Sequence, residues 1–351
     1  MKKHLPSCPD CDSAVEVDRR GFLQTVGSAA AAAVPVLWAV PRAAAAPTPS
    51  SPAETAVKAL FDSLTDEQKS KVCFPWDYQD KRRGLLRTFV SNNWQITPYQ
   101  INSSFYTKKQ RMLIHDVFKG IINPEWYDKF LKQLKDDTGG KPWGEQQSIA
   151  LFGTPGSDKF EFVMTGRHMT IRADGNTQDH VAFGGPIFYG HAASGFNEKV
   201  HHPGNVFWHQ AVMANKVFSL LDSKQQEKAL VEKLPHESEV PFRGDKGGFP
   251  GIPVANLSDD QKKELQKVLL ALVEPYRKED QEEALACLKK QGGLDKCSLA
   301  FYSDEDIGND KEWDNWRLEG PAFVWYFRGS PHVHVWVNVA DTPNVSLNAE
   351  G

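Results

Sequence analysis

The sequence predicts an α+β fold made of two tandem, sequence-related halves, each running helices first and strands second, with a largely antiparallel sheet. Three observations lead there. Segments echo one another in the same order at a nearly constant offset. Helical apolar spacing gives way to strand alternation in each half. No strand is followed by a G-x-G-x-x-G or Walker-type loop, so a doubly wound nucleotide-binding fold has no support and no nucleotide cofactor is expected.

The echoes are individually weak and collectively ordered. SLTDEQKSKV (Ser63–Val72) returns as SLLDSKQQEKAL (Ser219–Leu230), and Tyr106–Tyr127 returns as Leu257–Arg277. SIALFG (Ser148–Gly153) returns as SLAFYS (Ser298–Ser303), and FVMTGRHMTI (Phe162–Ile171) as WRLEGPAFVW (Trp316–Trp325). These repeats set the expected division: residues 1–45 as an export signal, 46–56 as a linker, 57–215 and 216–345 as the two α+β halves, and 346–351 as a tail.

Residues 1–45 carry Arg19-Arg20, then Phe22-Leu23, an uncharged Ala-rich run to Val40 and an Ala-x-Ala cleavage option after Ala45. A charged region, a short apolar stretch and a small-residue site define a secretory signal. The paired arginines make it resemble a twin-arginine signal, implying the twin-arginine translocase as a partner and a periplasmic or cell-surface destination. That route carries folded proteins, many with a metal or cofactor already loaded. Cys8 and Cys11 fall upstream of the arginine pair and would leave with it. Cys73, Cys287 and Cys297 remain; the last two bracket a helix end and a Gly-Gly stop, where an oxidising compartment would permit a disulfide.

After the linker, Ser258 is placed to cap a helix with Gln261 as the capping-box partner, and Leu265, Val268, Leu269 and Leu272 follow at helical spacing. Tyr106–Gly120 repeats that design. A further helix from about Asp280 stops at Gly292-Gly293. KFEFVMT and RHMTIRAD read as strands joined around Gly166, and WRLEGPAFVWYF as their counterparts around Gly320. The net charge of −4 is spread without a basic stripe. Nucleic acid and anionic membrane are therefore poor partners. No segment after the signal has the length of a transmembrane helix, so the mature chain is expected to work off the membrane.

Histidines carry the chemistry. In GSPHVHVWVN (Gly329–Asn338), His332, His334, Trp336 and Asn338 fall on one strand face and the valines on the other. H-x-H on a strand presents two imidazoles to one ion; the alternative is a polar strand face. His168, on the preceding strand of the first half and echoed by Ala322 in the second, is the choice for a third ligand because antiparallel neighbours bring such residues within reach; the alternative is a hydrogen-bonded sheet histidine. DHVAFGG (Asp179–Gly185) aligns with PHVHVWV, matching His180 to His332, so His180 belongs to a second tier of candidates. His191, at a strand end in the Gly- and aromatic-rich loop 184–210, joins it; His201-His202 in that loop reads as a surface turn. Three histidines leave an open coordination position on Cu, Zn, Fe or Mn. Glu319 is a candidate base and Arg317 a candidate anion holder, although the two share a strand face and an ion pair is the simpler reading. No G-x-S-x-G, H-E-x-x-H or S-x-x-K is present.

At TGRHMTI, LFGTPG, RLEGPAF and PHVHVWV, with the S-L-x-D helices, the chain resembles the bacterial family catalogued as domain of unknown function 3500, over roughly residues 55–345. The resemblance implies the boundaries and draws attention to the three histidines; it implies no reaction. This chain has Val337-Asn338 where an Arg-Asp pair is expected of the family. The expectation is an exported protein that binds a transition metal through His168, His332 and His334, with oxidoreductase or hydrolase chemistry on an unknown small molecule. The rival is a non-catalytic binding module for a small molecule, glycan or protein partner.

Overall fold

A computed structural model of the chain describes residues 46–191 and 206–348. The signal region with Cys8 and Cys11, and His201-His202, lie outside the described residues.

Helix α1 (Pro52–Ser63) starts inside the expected linker, because Ser51 has extended backbone and Pro52 presets the first helical residue. Then come α2 (Asp66–Val72), β1 (Cys73–Phe74), a small hairpin of β2 (Gln79–Asp80) and β3 (Gly84–Leu85), α3 (Lys108–Ile121) and α4 (Tyr127–Asp137). Strands β4 (Ser148–Gly153), β5 (Phe160–Gly166), β6 (Met169–Ala173) and β7 (Ile187–His191) follow. After them run α5 (Trp208–Ser219), α6 (Ser223–Ala229), β8 (Leu230–Val231), β9 (Ile252–Pro253), α7 (Asp259–Val273) and α8 (Lys278–Lys290). Strands β10 (Ser298–Tyr302), β11 (Asn315–Gly320), β12 (Phe323–Arg328) and β13 (Val333–Val339) come last. The fold is α+β, as the sequence predicts. Among the described residues no helix is long and apolar enough to cross a membrane.

Local signals explain the helix starts. Thr65/Gln68, Thr107/Gln110, Asp222/Gln225 and Ser258/Gln261 each form a complete capping box. Each box satisfies orphan backbone donors and contributes about 1 kcal/mol. The box glutamines then pair across helices: Gln68 with Gln110 and Gln225 with Gln261, through reciprocal side-chain amides. Helix α8 stops at Gly292 (φ 116°) and Gly293 (φ 74°), in the left-handed region expected of that stop.

The main sheet has the order β1-β4-β5-β6-β7-β13-β12-β11-β10-β8, with β9 on β10. Pairing is antiparallel except at the two ends, where β1 and β8 run parallel to β4 and β10. Read inward from either end, the two halves have the same strand order and meet at the antiparallel β7–β13 pair. One sheet face, with Val333, Val335, Val337, Tyr189 and Trp325, packs in the main apolar core together with the helices. The other is covered by long connections carrying Leu86, Trp94 and Val240. That second face is polar as well as aromatic, with Glu161, Arg172, Arg317, Glu319, His334 and Asn338 all buried.

One expectation needs correction, and the structure bears on two readings that the sequence leaves open. DHVAFGG is not a strand: Val181–Gly185 is a turn around a 3-10 segment with Phe183 at φ 61°, and the strand that pairs with β13 is Ile187–His191. Gly184-Gly185-Pro186 breaks the alternation there, since a proline has no N–H to give a ladder. Cys287 and Cys297 are free thiols. Cys297 Sγ sits 3.9 Å from the Gly293 carbonyl, and burial pushes both thiols up to about 12. Cys73 is also free and half-buried. Arg317 and Glu319 make the simpler arrangement, a buried ion pair at 3.0 Å. Arg317 also donates to the Glu239 carbonyl, and Arg243 reaches Glu319 at 3.1 Å.

A second buried polar cluster lies under α8. Arg277 holds Glu54 through both terminal nitrogens at 2.7–2.8 Å, and its Nε lies 3.0 Å from Asp280. Burial raises Asp280 to about 7 against the pull of Arg277. The folded state therefore keeps a proton that the unfolded chain releases near pH 4, and stability falls as pH rises through that interval. We expect the melting temperature to drop between pH 5 and pH 8 and Asp280→Asn to flatten this slope; an unchanged slope in that variant would refute the assignment.

Candidate metal site

The sequence pattern places His332, His334, Trp336 and Asn338 on the polar face, and the structure keeps them there. His168 arrives differently from expectation. It is not a strand residue but the second residue of the two-residue turn between β5 and β6, with φ at 54°. Histidine tolerates that region better than a β-branched residue would, and such backbone strain concentrates at functional sites. The turn is braced by residues 92–93: His168 N–H donates to the Asn92 carbonyl at 2.8 Å, and Arg167 bridges Asn93.

Register brings the rings together. Across the sheet His334 pairs with Arg328 on one side and Gly190 on the other. Gly190 lies one place beyond the Met169–Tyr189 pair, level with His168. Because Gly190 has no side chain, imidazoles from either side of β7 meet across it. A Cβ at Gly190 would lie 2.3 Å from the Val333 carbonyl oxygen and 3.4 Å from His334 Cα. Gly190→Ala is expected to cost about 3 kcal/mol, the upper end of overpacking, and to separate His334 from His168. Thermal unfolding of the variant checks the first effect, and metal titration the second.

His168 Nε2 is 3.1 Å from His334 Nε2, and His332 Nε2 is 2.9 Å from His334 Nε2. The three ligand atoms all lie within 4.8 Å of one another. His168 and His334 are buried and His332 is half-buried, so the group opens on the His332 side. The outer nitrogens are pinned: His168 Nδ1 to Asp137 Oδ2 at 2.7 Å, and His334 Nδ1 to Glu237 Oε2 at 2.7 Å. Arg328 Nη1 lies 3.3 Å from His334 Nδ1 but 3.1 Å from Glu237. The short carboxylate contact is the stronger one, so His334 Nδ1–H donates to Glu237 and Arg328 bonds the carboxylate.

Those hydrogen bonds assign the tautomers. With Nδ1–H given to a carboxylate, any lone pair that His168 or His334 carries is on Nε2, and the two Nε2 atoms face each other. Two acceptors at 3.1 Å repel unless a cation sits between them. Nitrogens on one tetrahedral ion with bonds of about 2.0–2.1 Å stand about 3.3 Å apart, close to the observed spacings. The carboxylate–histidine arrangement is the usual outer support of a metal ligand. Burial, then the neighbouring His334 and His168, lowers His332 to about 4, and burial also lowers His334. Burial pushes Glu237 upward, but the bond from His334 and the charge of Arg328 outweigh it and hold it below the usual range. Burial thus favours the neutral rings of His332 and His334 while the Glu237 carboxylate stays charged, as ion binding requires.

Of the second-tier residues, His180 is not in the group; its half-exposed ring pairs with Asp341 at 3.0 Å. His191 is buried on the opposite sheet face, 3.3 Å from Asp137 Oδ1. Sequence reading missed Asp137 and Glu237. One signal for Asp137 exists: Asp136 and Asp137 sit in the last turn of α4, where the helix dipole favours cations. Glu237, in the irregular 232–251 connection, has no such signal.

A family model described as "Protein of unknown function (DUF3500)" matches residues 47–339. No curated protein and no solved structure matches the chain.

Proposed function

We propose that this chain, which belongs to the DUF3500 family of proteins of unknown function, is exported through the twin-arginine route and binds one divalent transition-metal ion through His168, His332 and His334. A single observation carries the metal reading: three imidazoles converge while the outer nitrogens of two of the rings are held by carboxylates, buried Asp137 and half-buried Glu237. The fourth coordination position would face the half-buried His332 side. An ion bound with that position open can act as a Lewis acid on a small substrate or lower the pKa of a bound water, which is the chemistry of a metal-dependent hydrolase. Asp137 and Glu237 set ring orientation and offset the ion's charge. Arg317 and Glu319 remain structural, holding the 239–243 connection to the sheet. The matching strand order and capping boxes of the two halves support a duplication in which the second half carries the H-x-H pair and the first half supplies the third histidine. Elemental analysis of the purified, metal-loaded chain tests the reading: about one equivalent of metal is expected, and a folded chain that takes up none would refute it.

A further inference from the structure

Among the described residues Asp137 meets two histidines, and one of them belongs to the triad. Its Oδ2 takes His168 at 2.7 Å, and its Oδ1 faces His191 Nδ1 at 3.3 Å. His191 is the last residue of β7 and points to the helix face, whereas the three ligands gather on the other face at the same end of the sheet. Asp137, at the C-terminal end of α4, spans the two sides. On its far side His191 Nε2 lies 3.9 Å from Asp136 Oδ2. All three members, His168, Asp137 and His191, are buried. Burial alone would push Asp137 upward, yet the hydrogen bond from His168 and the adjacent His191 ring hold it well below the usual carboxylate range. Gln133 donates to the His168 carbonyl at 3.3 Å, which ties the turn to the same helix.

We infer that His191 is a positioning residue for the metal site: it fixes the second oxygen of Asp137 and thereby the ring of His168. This rests on the metal reading above. A carboxylate held at one oxygen can pivot about its Cβ–Cγ bond; held at both, it offers His168 one orientation. The ligand's lone pair is then aimed before the ion arrives, and less freedom is lost on binding. His191 touches neither ion nor substrate in this scheme.

The test is Co2+ titration of the full chain, read by the visible absorption of the bound ion, with thermal unfolding in parallel. Asp137→Asn is expected to weaken Co2+ by about 10–100-fold and His191→Ala by about tenfold. The double variant should be little weaker than Asp137→Asn alone, because both act through one carboxylate. His191→Asn, whose amide can donate to Asp137, should recover most of the loss. If His191→Ala lowers the melting temperature while Co2+ affinity stays at the wild-type value, the residue is merely structural and the inference falls alone. Fully additive losses in the double variant would overturn it as well. If the wild-type chain takes no Co2+, the metal reading fails and this inference falls with it.

Discussion

Replacing His332 and His334 together with alanine abolishes stoichiometric metal binding while leaving a folded chain. The expected loss of affinity is more than about 100-fold, beyond what outer-shell partners carry, because two of three ligands disappear. Folding survives because no charge is stranded. Glu237 keeps Arg328 at 3.1 Å and the Asn92 amide at 3.0 Å once the imidazole is gone. His332 is half-buried, and the Phe188–Trp336 contact at 4.7 Å persists beneath the truncated ring. Elemental analysis together with thermal unfolding separates the outcomes. A variant that melts like wild type yet still holds one equivalent of metal would show that these histidines are not its ligands. His180→Ala is the matched control, since among the described residues that ring pairs with Asp341 and lies outside the triad.

The largest stability effect is expected at Glu161. Its two oxygens each receive a guanidinium, Arg87 Nη1 at 2.8 Å and Arg172 Nη1 at 2.8 Å, and all three side chains are buried. Removing one partner from such a group leaves uncompensated charge in a low-dielectric interior and costs about 3–5 kcal/mol. Here Glu161→Ala would leave two arginines facing each other. Arg172 also donates to the Phe89 and Pro186 carbonyls and to that of Arg87, so it pins the 86–89 connection onto the sheet. Asn92, which braces the His168 turn, lies three residues further on. Glu161→Ala should therefore lower the melting temperature by roughly 10 °C and also weaken metal binding. A loss below about 1 kcal/mol in urea unfolding would contradict the burial of the group.

Legibility in the sequence followed the range of the interaction. Helices α3, α7 and α8 were readable because caps, periodicity and glycine stops act within one or two turns. The hairpins β5–β6 and β11–β12 were readable because alternation and a turn lie within about fifteen residues. The 179–185 stretch misled, since its likeness to PHVHVWV is real in letters but a Gly-Gly-Pro run prevents a ladder. The Cys287–Cys297 spacing allowed a bridge that the fold leaves as two buried thiols.

The same division runs through the site. Strand alternation alone determined that His332 and His334 share a face, and the expected pairing of antiparallel strands singled out His168. The family resemblance pointed to those residues too, and the match over residues 47–339 agrees with it. Only the tertiary structure decided that His168 comes from a turn, that bare Gly190 lets its ring reach His334, and that Asp137 and Glu237 hold the outer nitrogens. Those partners lie 31 and 97 residues from the histidines they orient. Side-chain periodicity reports which way a residue points within its own element; which element it then meets is set by sheet order and by the packing of connections with no period at all.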